Sequence, residues 1–165
     1  MITLKPITIT SPEMPTCIAL DVVPHKNEDD HVSTNAITLA RAHVHNKNGR
    51  PAECRAIYDG EHMVGLITYN YFANHPIFKE VCYRIHPIMV DKNHQNKGYE
   101  ATALNLLLSE IETKPHGKAT AIFATYNPSE DDCATIYTAA NFSRTDLNWA
   151  AVNPDNNDII VKRPL

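Results

Sequence analysis

The run Val90-Asp91-Lys92-Asn93-His94-Gln95-Asn96-Lys97-Gly98-Tyr99-Glu100 most limits what this chain can fold into. Before it, Val81 to Val90 reads as a strand. After it, Ala103, Leu104, Leu107, Leu108 and Ile111 recur at helical spacing. A polar loop closed by glycine thus joins a strand to an amphipathic helix. Such a junction presents the unpaired N–H groups of a helix N-terminus, which bind a phosphate or pyrophosphate well. Lys97 adds positive charge, and Gly98 allows close backbone approach. Read from the residues alone, the run also fits an ordinary loop and helix start.

The rest of the chain supplies alternating elements. Ile2, Leu4, Ile7 and Ile9 predict a first strand bent at Pro6. Ser11, Pro12 and Glu13 predict a helix start, with a capping hydroxyl followed by proline where its missing N–H is harmless. Pro24 ends that element, and residues 25–31 form a polar loop or the lip of a pocket. Ser33 or Thr34 caps a second helix through Ala36, Ile37, Leu39 and Ala40. Cys54 to Tyr58 and Met63 to Tyr71 form a hairpin about Asp59-Gly60. Pro87, inside the 81–90 strand, requires an edge, a bulge or an unpaired position. Pro115 and Gly117 close the long helix, and Ala119 to Tyr126 is an apolar strand. Residues 127–132 open a helix whose apolar face carries Ala134, Ile136, Tyr137 and Ala140; their acidic members suit its positive end. Phe142 to Trp149 and Asp158 to Lys162 predict two closing strands. The order is one α/β domain over residues 1–165, a mixed central sheet flanked by helices. Order alone does not give function.

Composition narrows the partners. The 165 residues suit one domain, and 43% hydrophobic with 21% charged residues is ordinary for a soluble globular protein. Lys plus Arg is 15 against 19 Asp plus Glu, a formal charge of -4 without a basic run, which argues against a nucleic-acid partner. No stretch reaches the ~20 apolar residues of a membrane helix, and the N-terminus lacks the form of a signal peptide. Cys17, Cys54, Cys82 and Cys133 are far apart without a CxxC, so buried reduced thiols in a cytoplasmic protein are expected, and no metal site.

At the junction the chain resembles the GCN5-related N-acetyltransferases (GNAT), whose Gln/Arg-x-x-Gly-x-Gly/Ala signature cradles the pyrophosphate of acetyl-CoA. Gln95-Asn96-Lys97-Gly98-Tyr99 matches it, after the Val90-Asp91 strand end. Asn127 followed by Ile136-Tyr137-Thr138-Ala139-Ala140-Asn141-Phe142, and the hairpin run Ile57 to Gly65, have the family's form as well. The likeness is good over residues 36–165 and loose before them, and leans toward bacterial diamine and polyamine acetyltransferases. Two positions depart from the pattern: Glu100 stands where the family has Gly or Ala, and Asn141 replaces a Gly. A carboxylate beside a pyrophosphate is electrostatically unfavourable, so Glu100 also admits a GNAT-fold binding or regulatory protein with impaired catalysis.

The resemblance implies an acetyl-CoA-dependent enzyme that moves the acetyl group to a primary amine of a small molecule by direct attack on the thioester. Tyr137 corresponds to the acid that protonates the departing thiolate; a tyrosine with an ordinary pKa near 10 suits that step. His86 and Glu80 are candidate bases, His86 for its pKa and its rough alignment with an acidic position of the polyamine subgroup. The backbone of Ile88, Met89 and Val90 would bind the pantetheine arm. Gln95, Asn96, Lys97, Gly98, Tyr99 and Glu100 would surround the pyrophosphate, with Asn127 as a further cofactor contact. Glu28 and Asp29, together with His86, would meet a polycationic acceptor. A homodimer is common in the family.

Overall fold

Alternating burial organises the first half of the chain around a hairpin, in the computed structural model that describes residues 1–22, 34–129 and 131–165. Ala52–Asp59 (β2) and His62–Phe72 (β3) pair antiparallel, with Asp59 opposite His62 across the turn Gly60-Glu61. Gly60, at φ 61, takes the left-handed conformation that a two-residue hairpin turn demands. Ile2–Pro6 (β1) lies antiparallel along the outer edge of β2. Pro6 ends this strand, and the Ile7 N–H continues one bond further to the Cys54 carbonyl (3.1 Å).

Met14–Ala19 (α1) begins later than the Ser11 signal suggests. The Ser11 hydroxyl accepts the Thr8 N–H (2.9 Å) and closes a turn ahead of the helix, while Pro15 occupies the first turn. Thr34–Lys47 (α2) follows, and α1 and α2 cover one face of β2 and β3 over Cys17, Leu39, Cys54, Ala56 and Leu66. Tyr99–Glu112 (α3) covers the other face. Its Ala103, Leu104, Leu107, Leu108 and Ile111 are all buried against the sheet. At roughly 1.5–3 kcal/mol for each large apolar side chain, this stripe is a major part of what holds the domain together. Arg55 of β2 pins the far end of α3: its Nε and terminal amine donate to the two Glu110 oxygens (3.0 and 2.5 Å), and the Tyr69 hydroxyl donates to Glu110 as well (2.8 Å).

The second half extends the sheet through Cys82–Ile85 (β4), Ala121–Tyr126 (β6) and Ile159–Pro164 (β8), with the two-residue strands Met89–Val90 (β5) and Ser143–Arg144 (β7). The sheet runs β1-β2-β3-β4-β6-β8-β7, with β5 paired to β3 off this path. β4 and β6 are parallel, joined through α3. Asp131–Ala139 (α4) joins β6 to β7. The mixed sheet with flanking helices is thus the expected class.

Two strand expectations are corrected. The 81–90 run is two strands, because Pro87 and a register shift interrupt it. The 142–149 run keeps only Ser143–Arg144 as strand. Beyond it the chain turns, so that Trp149 packs on the α1/α2 side of the sheet with Phe78, Phe123 and Ile160. Cys17, Cys54 and Cys82 are buried free thiols, and burial pushes the Cys17 thiol up to about 11 and the Cys54 and Cys82 thiols to about 12. Among the described residues no helix is long and apolar enough to cross a membrane, and no group of His, Cys, Asp and Glu is placed to hold a metal ion.

Candidate functional site

The site begins as a fault in the sheet. β4 pairs with β6 from Cys82–Ala121 to Ile85–Ala124. Tyr69 faces Ile85 on one side of Pro87, whereas Leu66 faces Met89 and Gly65 faces Val90 on the other. One extra residue on the 86–88 side is a β-bulge, which bends the strand. It carries β5 along β3 and away from β6, leaving a cleft between β5 and the Thr125–Tyr126 end of β6.

Backbone direction decides which groups enter that cleft. The Asp91 N–H donates to the Val64 carbonyl of β3 (2.8 Å), so the Val90 carbonyl, in the same peptide, points away from β3. A Cβ on Gly65 would collide with the Met89 carbonyl oxygen, so that oxygen faces β3 and the Val90 N–H of the same peptide faces the cleft. Of the three residues expected to bind the pantetheine arm, Val90 therefore turns both polar groups outward, Met89 turns its carbonyl to β3, and Ile88 lies at the bulge. The Val90 carbonyl is already taken by Gln95 Nε2 (3.2 Å), leaving its N–H as the donor.

The loop after β5 is held from within. Asp91 accepts from the N–H and Nδ2 of Asn93 (2.9 and 3.0 Å) and from the N–H of Asp21, just past α1 (2.9 Å). Burial pushes its carboxyl up, but these donors, with the His94 ring, hold it below the usual carboxylate range. The Lys92 N–H returns a bond to the Asp21 carbonyl (2.8 Å), and the Lys92 ammonium pairs with the Asp21 carboxylate. Asn96 (φ 60) and Gly98 (φ 74) both take the left-handed conformation, which aims the chain into α3. Thr102 is the first residue of α3 whose N–H reaches back, to the Gly98 carbonyl (3.2 Å). The N–H groups of Tyr99, Glu100 and Ala101 are thus open donors at a helix N-terminus, and Lys97 is exposed beside them. The Tyr99 side chain is turned away: its hydroxyl donates to Asp59 (2.7 Å). Glu100 precedes Ala103 and Leu104 by three and four residues, so it heads the inward stripe of α3. It is half-buried, without a hydrogen-bond or ion-pair partner among the described residues.

Across the cleft, Tyr137 is buried at 3% exposure, stacked on Tyr126 at the end of β6 (5.9 Å between rings, 18°) and against Phe142 (5.3 Å). Asn127 follows Tyr126 directly, and its Oδ1 accepts from the Ser129 N–H and hydroxyl (2.9 and 2.7 Å) in a turn toward α4. Both therefore stand at the same end of the sheet as the Gln95–Gly98 loop.

The two candidate bases part company. His86, at the bulge, points to the α1/α2 face. Its Nε2 lies 2.6 Å from Asn70 Oδ1; because Asn70 Nδ2 donates to the Pro51 carbonyl (3.4 Å), Nε2 carries the His86 proton. Burial, then the charges of Arg84, His45 and Arg41, push His86 down to about 3, so it is neutral and a weak base. Glu80 is a correction. It precedes β4, at the end of the strand opposite the cleft, bonded to Lys162 (2.6 Å) and Thr120. Burial pushes its carboxyl up, but these two partners hold it below the usual range. Glu28 and Asp29 lie outside the described residues. Sequence reasoning missed Asp91 as the organiser of the loop and Gly65 as the space for β5. An Asp capping a turn before a polar run is a readable signal; Gly65 acquires meaning only from its neighbour across the sheet.

No family model and no curated relative matches the chain. Solved structures do. The PaiA N-acetyltransferase from Thermoplasma acidophilum, in complex with coenzyme A, superposes with a TM-score of 0.70 at 11% identity, over 100% of this chain and 99% of that one. A GNAT family acetyltransferase from Elizabethkingia anophelis with acetyl-CoA bound gives 0.63 at 17% identity, over 99% and 98%. The ribosomal-protein-alanine N-acetyltransferase from Brucella melitensis gives 0.69 at 13%, over 100% and 99%. Across near-complete chains, and with sequence identity this low, the likeness is one of architecture: the chain adopts the GNAT acetyltransferase fold.

Proposed function

We propose that the chain is an acetyl-CoA-dependent N-acetyltransferase acting on a primary amine of a small molecule. The observation that carries this reading is the cleft between β5 and β6, which opens directly onto the donors at the start of α3. The Gln95–Gly98 loop and the open N–H groups of Tyr99 to Ala101 would receive the pyrophosphate, with Lys97 as the nearby cation. The Val90 N–H would receive the pantetheine arm as a further strand would, and Asn127 would line its far side.

In the reaction a neutral amine attacks the thioester carbonyl carbon, the C–S bond breaks, and the sulfur leaves as a thiolate. The Tyr137 hydroxyl, whose ring stacks on Tyr126 at the end of β6, would supply the proton to that sulfur. Tyr137→Phe should lower kcat on the order of 10²-fold with little change in the KM for acetyl-CoA. A neutral His86 is better suited to accept a hydrogen bond than to take a proton from an ammonium, so water would carry the amine's proton away.

Glu100, at the head of the inward stripe, favours one second reading, a cofactor-binding protein with weakened turnover. The experiment is a thermal-shift titration with acetyl-CoA on the wild type and on Glu100→Ala. At about 100 times Kd a ligand selective for the folded state adds ~2.7 kcal/mol, which moves the midpoint of a domain this size by roughly 5–11 °C. A shift in the wild type, followed by thiol release with an amine panel, is the expected result. A shift in Glu100→Ala alone would transfer the assignment to the non-catalytic reading. Absence of a shift in both would remove acetyl-CoA as the ligand.

A further inference from the structure

The α1/α2 face of the sheet, behind the cleft, carries a cation without a carboxylate partner among the described residues. Arg84 sits on β4 opposite Asn70 of β3 and Phe123 of β6, one residue before the last rung that joins β4 to β6. Tyr83 and Ile85 face α3, so Arg84 faces the other way, its guanidinium 4.7 Å over the ring of Trp149. Its Nε is sealed from water without a hydrogen-bond partner, whereas its terminal amines are not sealed. Among the described residues no carboxylate is within ion-pair distance; Asp158 acts on it only from further away. Two more buried polar atoms without partners share this face, the Trp149 indole N–H and the Thr68 hydroxyl, next to the Asn70–His86 pair. Arg41 and His45 of α2 add their charges to Arg84 at His86, and the Arg84 charge also reaches His75, where it adds to burial in holding that imidazole neutral.

An unpaired guanidinium that is mostly buried costs stability unless something occupies it. The planar fork of arginine matches a carboxylate with two parallel hydrogen bonds, and desolvation strengthens them. Arg84 stands one to two residues, roughly 3–7 Å, from where the cleft opens. A small molecule that carries both an amine and a carboxylate would use the cleft for one and the guanidinium for the other. The loop that would hold the pyrophosphate lies at the start of α3, which covers the face opposite Arg84, so an acceptor would approach from the Arg84 side. We infer that the acceptor is an amino acid, its carboxylate held by Arg84 beside Trp149 while its amine enters the cleft. This rests on the transferase reading and names its substrate class. It also runs against a polycation, which the charges of Arg84 and Arg41 would repel.

Trp149 is the chain's one tryptophan, so its indole N–H gives a single, assignable NMR resonance. In the presence of acetyl-CoA, kcat/KM is measured by thiol release for L-leucine against isopentylamine, L-phenylalanine against phenethylamine, and spermidine. The indole resonance is followed in parallel on titration with N-acetyl-L-leucine and N-acetyl-L-phenylalanine, which needs no turnover. The expected result is at least a tenfold preference for each amino acid over its decarboxylated partner, and a saturable indole shift. In Arg84→Gln both should be lost through KM; Arg84→Lys should retain part of each. The thermal midpoint of Arg84→Gln should be unchanged or higher, since it removes a buried charge kept for binding. An indole that does not respond, a preference for spermidine, or a carboxylate preference that survives Arg84→Gln would overturn the inference. So would a midpoint several degrees lower with unaltered titrations, which would make Arg84 a structural cation. Each of these leaves the acetyl-CoA shift intact, whereas failure of the transferase reading removes that shift itself.

Discussion

A methyl group at position 65 has nowhere to go. The Gly65 Cβ would meet the Met89 carbonyl, a backbone atom of the paired strand, so the only relief is to move β5. Gly65→Ala should therefore cost about 2–3 kcal/mol in urea unfolding, at the upper end for single substitutions. It should also weaken the acetyl-CoA thermal shift, because β5 forms one wall of the cleft. Two histidines set the acid limit. His75 accepts the N–H groups of Ile77 and Phe78 at Nδ1 (3.2 and 3.3 Å) and is held down to about 4 by burial and then Arg84; His86 is held to about 3. Both titrate near 6.5 when unfolded, so the unfolded chain binds the extra protons and stability falls as pH drops from 6.5 toward 4. Urea midpoints at pH 7 and pH 5 measure this. The slope should flatten in His75→Asn/His86→Gln, whose amides keep a hydrogen-bonding group without a charge to gain.

Among the elements, α3 and its preceding loop are fixed by different means. The helix was legible from its apolar spacing, and its buried residues are the ones that spacing selects. Its seating depends on a long-range contact, Glu110 with Arg55 and Tyr69. Glu110→Ala strands a guanidinium that is only partly relieved by Glu53 (3.0 Å), so unfolding free energy should fall by about 2 kcal/mol. The loop depends on Asp91. Asp91→Ala should release the Asn93 and Asp21 N–H groups, cost about 1–3 kcal/mol, and lower acetyl-CoA affinity more than Glu110→Ala does. Isothermal titration of both variants separates loop order from global stability. The hairpin about Gly60 was legible for the same reason as α3: its signal is local. The break at Pro87 was visible only as a constraint, because a bulge, an edge and an unpaired position all satisfy a missing N–H. The 142–149 segment misled because its apolar residues go to different places: Phe142 packs in the α3-side core, Leu147 is exposed, and Trp149 packs with Phe78, Phe123 and Ile160.

At the scale of the molecule the cleft is a property of the whole sheet. β3 pairs with both β4 and β5, while β6 follows β4 alone, so one bulge opens a gap that no single element contains. Hydrogen exchange with saturating acetyl-CoA should therefore slow the amides of Val90 and of residues 95–101 together, and leave the β7–β8 connection unchanged. Slowing spread evenly over the chain would argue for general stabilisation without a ligand in the cleft. By itself the sequence determined the elements with local signals: the hairpin, the amphipathic α3, the apolar β6 and the polar glycine-closed run that precedes a helix start. These follow from periodicity and from turn chemistry, which neighbouring residues carry. Only the tertiary structure decided which candidates stand at the same end of the sheet. It placed Tyr137 and Asn127 at the end of the sheet that holds Gln95–Gly98, removed Glu80 to the other end, and left Arg84 without a carboxylate partner among the described residues. The physical reason is that pairing across strands, burial and the field of distant charges depend on residues far apart in the chain, and no local pattern encodes their distances.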